Sequence, residues 1–173
     1  MRIDPVVPGS RPDLADIERR LQAERGGVST LYQVLLHSPP IAHGWEQLLT
    51  AVRNRSSLPP GLRELIILRV AVLNRAPYEF DAHVPHALRA GVPPGTVDML
   101  RAATPAAELP LAPAERAALE YADCMTRDVQ VPDALFARVR AHYRERQLVD
   151  LTATVAAYNM VSRFLEALRI GHR

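Results

Sequence analysis

The 173 residues, 48% hydrophobic and 23% charged, are enough to build a buried core and have a globular composition. The net charge is only +2. All 21 basic residues are arginine, which excludes a lysine Schiff base, and no basic run interleaved with aromatics suggests a nucleic-acid partner.

The single cysteine, Cys124, excludes an intramolecular dithiol cycle. It keeps step with Ala117, Tyr121 and Met125 on an apolar stripe, where a thiol acts as a small hydrophobe. No apolar run reaches the length of a membrane span, and the opening MRIDPVVPGSRPD has no signal-peptide core. These features predict a cytoplasmic protein of one domain, with a core at about 45–168 and an N-terminal helical extension over 1–44.

The chain reads as helices punctuated by proline. Asp13 is placed to cap a first helix to about Arg25, with Leu14, Ile17 and Leu21 inward and Gly26–Gly27 as its stop. A short helix follows around Leu31–Leu36. Ser38–Pro39–Pro40 then opens a segment to about Asn54, expected to bury Ile41, Trp45, Leu48, Leu49 and Val52. Beyond the linker Arg55–Pro60 comes an almost continuous apolar run, Leu65 to Leu73, interrupted only by Arg69. A helix without a wet face is buried on all sides.

The next helix starts at Pro77, a residue suited to a first helical turn, and runs to about Ala90, with Gly91 as its stop. Pro85 lies inside it and is expected to bend it just after His83. Pro93–Pro94–Gly95 begins a short helix to about Arg101, and Ala102–Pro113 reads as an irregular loop. Helices from Pro113 to Arg127, Pro132–Asp133 to Tyr143, and Glu145 to Ile170 complete the chain. The last of these turns Leu148, Leu151, Val155, Val161, Leu165 and Leu168 inward.

One cluster carries chemistry. Glu79, His83 and His86 follow at spacings of four and three and share one helix face. Glu64 stands near the start of the preceding helix, where the dipole favours a carboxylate. Folding back at Asn74–Ala76 brings it towards that face. Carboxylates and an imidazole beside apolar walls from Ile66, Leu73 and Phe80 make a proton-transfer site. Arg69 is a candidate clamp for a substrate carboxylate, or else half of a buried ion pair with Glu64 or another carboxylate. Tyr78, Tyr158, Asn159 and Arg163 are candidates to line a pocket, or buried polar groups satisfied by a neighbouring helix. His86 is a further substrate contact or a helix–helix or subunit contact.

The pattern of Glu64, Pro77-Tyr78-Glu79, His83 and Ala90-Gly91, with Tyr158-Asn159-Met160-Val161 in the last helix, resembles the carboxymuconolactone decarboxylase family. That family includes the AhpD-type alkylhydroperoxidases. The resemblance implies an all-α bundle of antiparallel helical hairpins assembling into trimers or hexamers, and assigns function to Glu64, Glu79 and His83. The peroxidase branch carries a Cys-x-x-Cys pair that would fall on Ala76 and Glu79. Dithiol peroxidase activity is therefore not expected.

The decarboxylase branch implies a cofactor-free decarboxylase, isomerase or lyase that moves a proton to or from a small carboxylated or lactone-like substrate. Two other functions fit the same residues. One is a metalloenzyme using Glu79, His83 and His86, possibly with Glu64, although Pro85 disturbs that geometry. The other is a non-catalytic scaffold or small-molecule binder with the same fold.

Overall fold

A computed structural model describes residues 1–172. The described residues form an all-helical protein with no strand. Nine α-helices follow in order: α1 (Ala15–Arg25), α2 (Thr30–Leu35), α3 (Pro39–Asn54), α4 (Pro60–Leu73), α5 (Pro77–Arg89), α6 (Pro94–Arg101), α7 (Pro113–Arg127), α8 (Asp133–Arg140) and α9 (Glu145–Leu168). Short 3-10 turns at Pro12–Leu14 and Ala106–Glu108 complete the order. No helix is long and apolar enough to cross a membrane among the described residues.

Proline sets the starts: α3 to α7 each carry it at the first helical position. There the missing N–H forfeits no intrahelical bond and the fixed φ is already helical. Most stops, though not those of α2, α3 and α8, are left-handed residues. Gly26 closes α1 at φ 77° and Gly91 follows α5 at φ 87°. Arg75, Ala103, Val129 and Arg169 adopt the same region without glycine's freedom.

The chain divides into two compact units. The first comprises Met1–Arg55 with Leu165 onward. In it α1 packs on α3, and Leu14, Ile17 and Leu21 are buried. The N-terminal segment is tied down: the Arg2 N–H donates to the Leu168 carbonyl (2.9 Å) and Arg2 Nη1 to that of Ala167 (2.9 Å), at the end of α9. Two expectations fail here. Asp13 caps nothing, because it lies inside the 3-10 turn and its carboxylate pairs with Arg11. In α3, Trp45, Leu49 and Val52 are buried, but Ile41 and Leu48 are exposed. The buried face is rotated to take in Ala42, Glu46 and Thr50 instead. Thr50 Oγ1 donates to Glu46 Oε1 at 2.9 Å, so two polar groups satisfy each other inside.

The second unit, Ser56–Phe164, is built on α4. Every residue from Glu64 to Ala71 is buried, and α5, α6 and α7 pack against this helix. Gly61 allows a close approach, since a Cβ there would stand 3.2 Å from the Ala90 carbonyl oxygen at the end of α5. The α4–α5 hairpin can therefore close tightly. Helix α5 continues through Pro85 to Arg89. At the other end of the chain, α8 stops at Arg140 and α9 at Leu168, both short of the expected ends.

Candidate active site

Three side chains from the α4–α5 hairpin meet in the second unit. Glu79 is in the first turn of α5, and His83 follows one turn later on the same face. Glu64 comes across from the second turn of α4. His83 Nδ1 donates to Glu64 Oε2 at 2.7 Å, and His83 Nε2 lies 3.3 Å from Glu79 Oε1. Relative exposure is 3% for Glu64 and 5% each for Glu79 and His83. The imidazole is thus held on edge between two buried carboxylates, more tightly on the Glu64 side.

Burial alone would lower the proton affinity of His83, because it disfavours the charged form. The hydrogen bonds and negative charges of Glu64 and Glu79 outweigh that, and the His83 pKa is raised above its ordinary value. Tyr158, from α9, closes one side. Its ring meets the imidazole edge-on, with centroids 5.1 Å apart and planes at 89°. The ring of His86 lies 5.5 Å from that of His83, and Arg89 Nη2 donates to His86 Nδ1 at 2.9 Å.

Tyr78 is half-buried at the second position of α5. Ile66 and Phe80 are buried and Leu73 is half-buried. Asn159 Oδ1 accepts from Asn74 Nδ2 (3.0 Å) and Arg163 Nη1 (2.7 Å). Its Nδ2 donates to Thr126 Oγ1 (2.9 Å) and the Val155 carbonyl (3.0 Å). That is the arrangement of a buried polar residue satisfied by its neighbours.

Arg69, a candidate carboxylate clamp or half of a buried ion pair, forms the ion pair. Its Nε and Nη2 donate to the two oxygens of Asp123, each at 2.6 Å, and Nη1 donates to the Thr104 carbonyl at 2.8 Å. The partner is Asp123 of α7 and not Glu64. Nothing in the spacing of residues 54 positions apart announces that pair.

Sequence reasoning also passed over Arg63. Adjacent helix positions do not share a face, so spacing alone does not group it with Glu64. Its guanidinium nevertheless turns back, with Nε 3.7 Å from Glu64 Oε1.

A shared metal ion does not suit this donor set. Each ring nitrogen of His83 faces a carboxylate, and among the described residues no group of three or more His, Cys, Asp or Glu side chains is placed to hold a metal ion. Ala76 and Glu79 occupy the two motif positions, and Cys124 sits half-buried on α7. Burial, followed by the charges of Asp128, Asp123 and Glu120, pushes its pKa up and keeps it a thiol.

The sequence model of the carboxymuconolactone decarboxylase family matches residues 39–123, which include all three site residues. The uncharacterized protein YdfG of Bacillus subtilis is 33% identical over 121 residues, spanning 69% of this chain and 80% of that protein. Among solved structures, an uncharacterized peroxidase-related protein from Silicibacter sp. TM1040 is similar with a TM-score of 0.82 and 20% identity, over 97% of this chain and 89% of that one. The debrominase Bmp8, in complex with 2,3,4-tribromopyrrole, is similar with a TM-score of 0.81 and 18% identity, over 98% of this chain and 90% of that one. At such identities these two likenesses establish the fold alone. With its motif region matched and its Bacillus relative aligned over most of both chains, this protein belongs to the carboxymuconolactone decarboxylase family.

Proposed function

We propose that this chain is a cofactor-free lyase of the decarboxylase type, a cytoplasmic homo-oligomer acting on a small carboxylated or lactone-like molecule. The observation that carries the reading is the buried imidazole of His83 with a carboxylate on each nitrogen. The short bond to Glu64 fixes the ring and its tautomer, as an orienting carboxylate does for a working histidine. Glu79 makes the longer approach, 3.3 Å from Nε2, and Nε2 is the nitrogen assigned to the proton transfer in this reading.

In the proposed step, the bond between the substrate carboxylate and its carbon breaks, and the electron pair moves into the neighbouring carbonyl. Carbon dioxide leaves, and Nε2 of the imidazolium delivers its proton to the carbon left behind. Solvent then returns a proton to the imidazole. Glu64 and Glu79 hold the positive charge until transfer, and little water reaches the site to screen them. The debrominase that shares the fold holds a small ring compound, the size class proposed here.

The test is carbon dioxide release from a panel of lactone acids by His83→Ala and His83→Gln. A general acid typically contributes about 10²–10⁴-fold in rate, and a loss of that order is expected. Full turnover by both variants would remove His83 from the reaction. Peroxide reduction with a dithiol reductant is expected to be nil, and substantial turnover surviving Cys124→Ser would contradict that.

A further inference from the structure

Arg63 lies in the first turn of α4, immediately before Glu64. Its side chain is only 15% exposed, and its buried Nε has no hydrogen-bond partner. Leaving such a donor unsatisfied is costly unless a nearby charge compensates. The compensating charge is Glu64 Oε1 at 3.7 Å, too far for a hydrogen bond but close enough for strong attraction in a buried site. The other oxygen of that carboxylate takes His83 Nδ1. Glu64 is therefore shared between a guanidinium and an imidazole.

The groups facing His83 are Glu64, with Arg63 behind it, on α4, Glu79 and His86 on α5, and Tyr158 on α9. With His83 protonated, the charges of Arg63 and His83 balance those of Glu64 and Glu79. Without Arg63 the same cluster would carry an excess negative charge.

We propose that Arg63 is a positioning residue for this site. Its guanidinium holds the Glu64 carboxylate with Oε2 towards His83 Nδ1, and its positive charge limits how tightly the imidazole holds its proton. The inference rests on the proton-transfer reading above, since only a working acid needs its affinity trimmed in this way. An arginine that merely lay along the helix surface would leave the titration of His83 unchanged.

The experiment is an NMR titration of the His83 imidazole in isotope-labelled protein. Arg63→Gln should move the midpoint to higher pH, because a cation that opposed the imidazolium is gone. Arg63→Lys keeps the charge and should titrate close to the wild type.

One arm needs no variant. In the wild-type protein the Arg63 Nε–H resonance should move with the same midpoint as His83. A folded Arg63→Gln protein with the wild-type midpoint, or an Nε–H signal flat through the titration, would overturn the proposal. These spectra involve no turnover, so their outcome is separate from the carbon dioxide assay. Full activity of His83→Gln would end the proton-transfer reading whatever Arg63 does.

Discussion

The histidine between two glutamates links the site to stability. The His83 pKa is higher in the folded protein than its ordinary value of 6.5, so folding is favoured by the protonated form. That contribution is complete below about pH 6.5, the unfolded value, and is lost as the pH climbs through the folded value. Urea unfolding measured on both sides of this window should show stability falling as the pH rises, with a shallower fall for His83→Gln. Equal slopes would mean that the two carboxylates do not grip the imidazole. Arg69 makes a second test. Replacing it with Met strands Asp123 and the Thr104 carbonyl in a largely dry site, and should cost about 3–5 kcal/mol in urea unfolding. Adding Asp123→Leu should recover most of that loss. The histidine cluster could be read from spacing alone, because four residues along a helix fix a shared face. The partners of Arg69 and the turn of Arg63 could not, because a long flexible side chain is placed by its tertiary neighbours.

At the scale of elements, starts were easier to read than faces. Proline marks a first turn through its own covalent geometry, and α3 to α7 begin where it stands. The orientation of α3 was not legible, because the Glu46–Thr50 bond that lets two polar groups replace Ile41 and Leu48 inside leaves no mark in the hydrophobic pattern. Helix stops show the opposite weakness. Val129, a β-branched residue, follows α7 at φ 66° and is 81% exposed, so it bears the left-handed cost with no burial to offset it. Val129→Gly should stabilise the protein by about 1 kcal/mol, net of the extra freedom glycine gains in the unfolded chain. Thermal denaturation would register this as a rise of about 2–4 °C. A lower melting temperature would mean that the valine makes contacts worth more than its strain.

For the molecule as a whole, the family and the all-helical fold were legible because a few residues at fixed spacing carry them. The substrate was not, since spacing along a helix specifies acid and base groups but not the outline of what they touch. The apolar character of α4 and the family resemblance together predict a trimer or hexamer, and sedimentation of the purified protein checks this. A monomer would contradict it. Burial of α4 from Glu64 to Ala71 has a further consequence. Its amide hydrogens can reach heavy water only when the surrounding helices come away, so they should be among the slowest in the protein to take up deuterium. Their exchange rates, converted to free energies, then give the opening energy of the second unit without any denaturant. A chemical variant of Glu64 or His83 that weakens that unit will speed the whole set together, whereas one that only blocks proton transfer will leave the isotope clock unchanged.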